Sequence, residues 1–213
     1  MLLRDFYLRD ANQVAQDLLG KLLVHKTQGG ILSGMIVEAE AYRGPEDKAA
    51  HSYGNLRSPR TEIQYGMGGF AYIYFIYGMH SCFNVVTSVE EKPEAVLIRG
   101  LEPVEGMERM MENRKNQKLR NLCSGPGKLC AAMEIDRKLY GEDLCGDRLY
   151  LEDYRSFQPE EIGVSPRINV EYAGEWKDRL WRYFVKDHPC VSPVAKQYRT
   201  NLTLADIQSG GIR

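Results

Sequence analysis

Glu38, Glu40, Tyr42 and His51 bring two carboxylates, a phenol and an imidazole close together in the sequence. Side chains of a β-strand alternate between its two faces, so an extended conformation places Glu38, Glu40 and Tyr42 on the same face. The small apolar residues between them then point to the other face: Val37, Ala39 and Ala41. A glycine and a proline end this strand and allow His51 to return across the polar face. The pattern predicts a cleft that holds a carboxylate, a phenol and an imidazole.

A structural interpretation of the same stretch stays open at this point. Glutamates that alternate with small apolar residues are also typical of a half-buried strand with one wetted face. In that interpretation His51 is an ordinary loop residue. The choice between the two interpretations therefore depends on the rest of the chain.

A second informative stretch, residues 71–86, consists of two β-rich runs around a short polar turn. This pattern predicts a β-hairpin with Tyr77 at or near its tip, where a tyrosine faces solvent. Tyr72 and Tyr74 precede the turn and are equally consistent with packing in the core or in cross-strand pairs.

The elements around these stretches are predicted from hydrophobic spacing and turn residues. Asp10 begins a short amphipathic helix over residues 11–19, and a strand at Leu22–His25 turns back at Gly29–Gly30 into the strand that carries Glu40. A strand at Ala95–Leu101 contains Arg99, whose burial would require a carboxylate or carbonyl partner. A helix follows Pro103, and another follows a glycine-containing loop at residues 123–127. Further strands are predicted at residues 148–151, 168–170 and 180–185.

The net charge of −1 gives no reason by itself to expect a nucleic-acid ligand, so any phosphate contacts require clustered basic residues. The densest basic cluster is the segment 114–120, Arg57 and Arg60 form a smaller one, and charge density alone favours a solvated face as the interpretation of each. Lys128 stands where the glycine-containing loop enters its helix. Such an entry can hold a phosphate on free backbone amides, but the Walker A pattern is missing and a plain capped helix is an equal alternative.

Length and composition favour a single domain over residues 1–213, because 213 residues at 43% hydrophobic content can bury one sizeable core and no linker or repeat interrupts the chain. The last residues, about 194–213, are polar and predict a loose tail. The first residues lack the apolar core of a signal peptide, and no apolar run reaches the roughly 18 residues that span a bilayer. We therefore expect no membrane partner and a cytoplasmic location, or a nuclear one in a eukaryote.

The five cysteines are odd in number and form no C-x-x-C pair. This spacing argues against a disulfide framework and against a structural zinc site. We expect reduced cysteines that serve mainly in packing, no metal and no cofactor.

Five separated blocks of the sequence, in the same order and spread over roughly residues 10–192, closely resemble the alkyladenine (3-methyladenine) DNA glycosylase family. The blocks are residues 37–51, 74–79, 99–103, 122–130 and 173–176. The resemblance implies a monomeric α+β fold of one domain, with an antiparallel sheet curled like a partial barrel, helices around it and a protruding β-hairpin. It also implies excision of alkylated or deaminated purines from double-stranded DNA.

The resemblance also assigns roles to individual residues. Glu40 would be the general base that activates water, and Arg99 would orient the site around it. The pocket for the extruded base would be lined by Tyr42, His51, Tyr74, Asn84 and Val170. Tyr77 would be the wedge that enters the duplex, with Met79 in contact with the duplex nearby.

Candidates for phosphate contacts are four basic residues between two of these blocks and one inside the block 122–130: Arg114, Lys115, Lys118, Arg120 and Lys128. The chain departs from the family pattern at Glu171, where a small residue is common, and at His80 and Ser81, where bulkier residues are expected. These departures leave the local DNA contact and the damage preference open.

The residue types suit hydrolysis of an N-glycosidic bond, because a carboxylate can stabilise a cation-like sugar and take a proton from water. A water nucleophile needs no Schiff base, and Lys48 is the single lysine in the two site stretches, so we expect no lyase activity. Two alternatives stay open. One is a non-catalytic nucleic-acid binding module of the same fold, and the other is a nucleoside hydrolase that uses Glu38 and Glu40 as a carboxylate pair.

Overall fold

The structure is a computed structural model. It describes residues 1–76, 78, 80–115, 117–199 and 202–209, with the backbone alone at 199. Tyr77 and Met79, predicted to be the wedge and its neighbour, lie outside the described residues.

Eight antiparallel strands form one curled sheet that does not close into a barrel. The strands are β1 Leu22–Thr27, β2 Gly30–Arg43, β3 Ala71–Ile76, β4 His80–Thr87, β5 Glu94–Glu105, β6 Leu149–Glu152, β7 Ile162–Ser165 and β8 Arg182–Val185. Their order is β3-β4-β5-β2-β1-β6, and β8 pairs with both β2 and β7. The β3–β4 hairpin lies at one edge of the sheet.

Short helices surround the sheet. They are α1 Arg4–Tyr7, α2 Ala11–Asp17, α3 Met107–Asn113, α4 Leu119–Leu122, α5 Pro126–Ala132, α6 Lys196–Arg199 and α7 Leu204–Gln208. Five further segments are 3-10 helices: Tyr53–Asn55, Glu62–Tyr65, Arg137–Leu139, Pro159–Glu161 and Glu171–Asp178. The predicted α+β class with a curled antiparallel sheet is confirmed. In the part of the chain that the structure describes, no helix is both long and apolar enough to cross a membrane.

The long strand β2 organises the sheet because it pairs along both of its edges. One edge pairs with β5 from Ser33 to Arg43, whereas the other edge pairs with β1 up to Met35 and with β8 from Glu38 to Glu40. The change of partner coincides with irregular register against β5 around Glu38. Such a β-bulge bends a strand and redirects its side chains.

The bulge changes the predicted alternation at one residue. Ala39 and Ala41 pack in the main core, but Val37 packs in a second cluster with Met35 and Val185. The prediction that Val37 shares a face with the two alanines is therefore wrong. An extra residue at the bulge shifts the alternation by one position, and this shift is not visible in the residue types.

Two other predictions differ from the structure. Residues 168–170 form an irregular loop rather than a strand, and the short strand β7 was not predicted. In the segment predicted to be a loose tail, the described residues include α6 and α7, and Leu204 is buried against the main core. The capped helix at Thr203 explains the order of α7, since its hydroxyl accepts a hydrogen bond from the amide of Asp206.

Gly100 of β5 pairs with Glu38 at the bulge, and a larger residue would not fit there. An added Cβ would lie 2.8 Å from the carbonyl oxygen of Cys190 and 3.3 Å from the Cβ of Glu38. We expect Gly100→Ala to lower the free energy of unfolding by roughly 1–3 kcal/mol through overpacking, measured by chemical denaturation. Gly66→Ala is the matched control, because its added Cβ would meet only the carbonyl oxygen of Ile63 at 3.4 Å. Equal losses in the two variants would contradict the overpacking argument.

Candidate active site

An aromatic cavity of about 290 Å³ lies between β2, the β3–β4 hairpin, β5 and the loop before the last 3-10 helix. Six of the residues that the sequence singled out line this cavity: Tyr42, His51, Tyr74, Asn84, Arg99 and Val170. Most of them are far apart in sequence, and the antiparallel pairing of the strands brings them together.

Three aromatic rings make one wall of the aromatic cavity. The ring centroids of His51 and Tyr74 are 4.6 Å apart at an interplanar angle of 86°, and those of Tyr72 and Tyr74 are 5.4 Å apart at 37°. Edge-to-face and tilted pairs at these distances are favourable arrangements of aromatic rings. The wall is therefore preorganised for a flat ligand.

The His51 imidazole is neutral at neutral pH. Burial, and to a lesser degree the nearby Arg60, lowers the pKa of His51 from 6.5 to about 4. Because an arginine always donates, the Arg60 Nη2 at 2.9 Å makes the His51 Nε2 an acceptor. The neutral ring then carries its proton on Nδ1, which lies 2.7 Å from the Tyr72 hydroxyl oxygen. Burial raises the pKa of that hydroxyl to about 12, so Tyr72 also stays neutral.

The Glu40 carboxylate lies beside the aromatic cavity and has no solvent-exposed surface. Its Oε2 accepts a hydrogen bond from the Tyr42 hydroxyl at 2.8 Å, and its Oε1 accepts one from the backbone amide of Ile168 at 2.8 Å. Arg99 Nη1 is a more distant donor at 3.4 Å. Tyr42, Ile168 and Arg99 all line the cavity, so the carboxylate is separated from it by its own hydrogen-bond donors.

Glu38 lies behind this carboxylate and binds two arginines. Its Oε1 accepts from Arg182 Nε at 2.8 Å and from Arg99 Nε at 3.1 Å, and its Oε2 accepts from the amide of Ser192 at 2.7 Å. Burial alone raises the pKa of Glu38, but the two guanidinium groups and the amide lower it below the ordinary value of a glutamate. Glu38 is therefore ionised at neutral pH and holds Arg99 against Glu40.

A second buried ion pair fixes the turn that carries His51. Arg167 Nη2 donates to Asp47 Oδ1 at 2.9 Å, and Arg167 Nη1 donates to the backbone oxygen of Ala41 at 2.9 Å. Both side chains of the pair are fully buried. The guanidinium also lies 4.6 Å from the centre of the Tyr42 ring. One arginine thus joins the turn, β2 and an aromatic residue of the aromatic cavity.

Asn84 and Val170 complete the described walls. Asn84 Nδ2 donates to the backbone oxygens of Tyr72 at 3.0 Å and Cys82 at 3.3 Å, which fixes the orientation of its amide. Val170 is buried, and its backbone oxygen accepts from the amide of Ala173 at 2.9 Å.

The predicted phosphate-contacting residues lie outside the aromatic cavity and do not form one group. Lys118, Arg120 and Lys128 line a separate groove of about 480 Å³. Arg114 is half-buried and donates to the backbone oxygen of Leu122 at 3.3 Å, and Lys115 is exposed elsewhere. The structure therefore brings together three of the five basic residues.

The sequence did not single out three residues that the structure places at the aromatic cavity: Arg60, Gln64 and Tyr172. Arg60 was noted as part of a small basic cluster and lies 4.8 Å from the centre of the Tyr74 ring. Gln64 is uncharged, and the 3-10 helix that carries it is too short to show a hydrophobic repeat in the sequence. Only a predicted contact with β3 would have indicated it.

Within the described residues, no group of three or more histidine, cysteine, aspartate or glutamate side chains is arranged to hold a metal ion. What the arrangement offers chemically is a buried carboxylate with fixed donors, a neutral imidazole and a slot of aromatic rings.

Most of the chain is similar to known proteins. The sequence model of the methylpurine-DNA glycosylase family matches residues 5–189. A relative from Desulfitobacterium hafniense is 50% identical over 197 residues, which cover 89% of this chain and 97% of the relative. A relative from Clostridium acetobutylicum is 50% identical over 203 residues, which cover 92% and 98%. Both relatives carry the name "Putative 3-methyladenine DNA glycosylase".

A family match over most of the chain, together with relatives at this identity, confirms the resemblance found in the sequence. The aromatic cavity and its carboxylate therefore belong to a chain whose family is established: this protein is a member of the methylpurine-DNA glycosylase family.

Proposed function

We propose that this protein is a DNA repair enzyme that releases alkylated or deaminated purines from double-stranded DNA by hydrolysing the N-glycosidic bond with a water activated by Glu40. The observation that carries the proposal is the Glu40 carboxylate held beside a cavity walled by aromatic rings. The names of the relatives support a 3-methyladenine substrate.

A base inside a duplex cannot reach a cavity, so the nucleotide must rotate out of the stack at a cost of a few kcal/mol. Stacking on aromatic side chains returns roughly 1–3 kcal/mol per base. The cavity rings of Tyr42, His51 and Tyr74 are therefore sufficient in magnitude to hold a flipped purine. Tyr77 would fill the gap in the duplex, as inserted side chains do in other proteins that kink DNA.

The neutral state of His51 suits the charge of the substrate. Methylation at N3 or N7 leaves a purine positively charged, and a cation over an aromatic face gains about 0.5–2 kcal/mol. A protonated imidazole in the same wall would repel such a base. The low pKa of His51 keeps that charge out of the cavity at neutral pH.

Glu40 would act once the glycosidic bond begins to break. The deoxyribose then becomes cation-like, and a carboxylate can stabilise that charge and take a proton from the attacking water. In the structure both carboxylate oxygens already accept hydrogen bonds, from Tyr42 and from Ile168. Binding of water to Glu40 therefore requires one of these bonds to open. The Tyr42 bond is the one that a base entering the slot could displace.

The remaining features fit this reaction. Among the described residues that line the aromatic cavity there is no lysine to form a Schiff base, so we propose a water nucleophile and no lyase activity. The groove formed by Lys118, Arg120 and Lys128 is a candidate for contacts with DNA phosphates. Such contacts give salt-dependent affinity that does not depend on sequence.

We expect Glu40→Gln to abolish base release while DNA binding persists, because the amide keeps the shape of the side chain but cannot take a proton. The measurement is single-turnover release of 3-methyladenine from methylated duplex DNA, together with a binding assay on a duplex that contains ethenoadenine. The expected loss is at least 100-fold, the lower end of the usual contribution of a general base.

Glu46→Gln is the matched control, because Glu46 is an exposed carboxylate on the neighbouring turn. It should release the base at the rate of the unmodified protein. Normal release by Glu40→Gln would remove Glu40 from the mechanism. Binding without release by the unmodified protein would instead favour the non-catalytic binding module.

The pKa of His51 predicts how stability depends on pH. Between pH 6.5 and about 4 the unfolded chain binds a proton on this residue and the folded chain does not, so the free energy of unfolding rises with pH. The destabilisation by this group is absent above pH 6.5 and grows as the pH falls towards 4. We expect the loss of Tm between pH 6.5 and 4.5 to be smaller in His51→Asn than in the unmodified protein.

A proton NMR titration of the four histidines is the direct test. One imidazole signal should titrate near pH 4 and should disappear in His51→Asn. His80→Asn is the control, since His80 is exposed, and it should leave that signal unchanged. A His51 signal that titrates near pH 6.5 would contradict the lowered pKa of His51 and the neutral imidazole in the cavity wall.

A further inference from the structure

Gln64 places a buried side-chain amide in the wall of the aromatic cavity, where it is close enough to Tyr72 to oppose slightly the rise in the pKa of that hydroxyl. Gln64 is 3% exposed and belongs to the 3-10 helix Glu62–Tyr65. The side chain lines the cavity with Tyr72 and Asn84. Among the described residues, no acceptor lies at hydrogen-bonding geometry from Gln64 Nε2.

A buried donor without an acceptor is unfavourable, and nearly all buried polar groups in proteins have a partner. Two hydrogen bonds hold the backbone around Gln64 in place. The backbone N–H of Gln64 donates to the backbone oxygen of Thr61 at 2.9 Å, and the backbone N–H of Ile63 donates to the Tyr140 hydroxyl at 3.2 Å. The side chain is therefore presented to the cavity by a fixed backbone. A ligand in the cavity is the natural source of the missing acceptor.

The other buried donors of the wall already have partners. Tyr42 donates to Glu40, and His51 bonds the Tyr72 hydroxyl and Arg60. Asn84 uses its amide nitrogen on two backbone oxygens. Gln64 thus differs from these neighbours in having a donor left for a ligand.

We propose that Gln64 determines specificity among damaged purines by pairing with the N7 and N6 edge of an adenine. A glutamine amide can donate to N7 and accept from the N6 amino group at the same time, which is a pattern that adenine alone offers. This role rests on the proposed function, because it requires a flipped purine in the aromatic cavity.

The lesions differ at this edge. An adenine methylated at N3 keeps both its N7 lone pair and its N6 amino group. A guanine methylated at N7 has a methyl group where Gln64 would donate and an oxygen in place of the amino group. Both lesions are cationic and both are good leaving groups, so a change in their relative release reports the edge contact rather than the chemistry.

The test measures both bases in one reaction. Duplex DNA treated with a methylating agent carries 3-methyladenine and 7-methylguanine, and chromatography of the released bases gives both rates. In Gln64→Met, which keeps the length of the side chain and removes its hydrogen bonds, we expect the ratio of 3-methyladenine to 7-methylguanine release to fall about tenfold, which corresponds to about 1.4 kcal/mol. Gln64→Leu gives the same test if the methionine variant does not fold.

A second readout separates recognition from a structural role. Because no acceptor lies at hydrogen-bonding geometry from this amide nitrogen in the part of the chain that the structure describes, replacing it by an apolar group should not lower Tm. Gln13→Met is the matched control, since Gln13 is exposed on α2, and it should leave both the ratio and Tm unchanged.

The outcomes distinguish this inference from the proposed function. Release of both bases by the unmodified protein, with an unchanged ratio in both Gln64 variants, would overturn the role of Gln64 alone. An equal fall in both rates, or a lowered Tm, would assign Gln64 a structural role and would also overturn it. Release of neither base by the unmodified protein would overturn the proposed function and the role of Gln64 with it.

Discussion

The structure depends on two buried carboxylates that lie on the same strand and are paired with buried arginines. Glu38 and Glu40 have no exposed surface, and burial of a single unpaired charge costs several kcal/mol. Arg99 and Arg182 supply two positive charges, so the formal charge of the group sums to zero. These four residues come from β2, β5 and β8, and the pairing of the three strands is therefore a condition for the charge balance of the site.

The β-bulge in β2 gives this charge network its position. At Glu38 the strand changes partner from β1 to β8, which brings Arg182 beside it, while Gly100 on the other edge leaves room for the close approach. The carboxylate of Glu40 is two residues further along and lies beside the aromatic cavity, separated from it by its hydrogen-bond donors. A buried ion pair is weak evidence for net stability, but the loss of one partner is strongly destabilising. The network thus specifies geometry more than it adds stability.

The two halves of the site are held by different interactions. The ionic half is fixed by charge-assisted hydrogen bonds within the sheet, and the aromatic half is fixed by ring contacts between β3 and the turn that carries His51. Arg167 connects them, since it binds Asp47 of the turn, the backbone of β2 and the face of Tyr42. A flat ligand that enters between the halves meets walls that are already in place, so little ordering entropy is lost on binding.

The sequence by itself determined the β2 strand, the β3–β4 hairpin, the α+β class and the family, because alternation, turn residues and ordered motifs are local or linear signals. It also indicated that Arg99 needed a carboxylate or a carbonyl partner, since burial of an arginine has few solutions. Only the tertiary structure decided which carboxylates those were, the packing of Val37, the irregular path of residues 168–170 and the place of Gln64. Each of these depends on a strand register or on a contact between residues distant in the chain, and neither quantity is contained in the spacing of residue types.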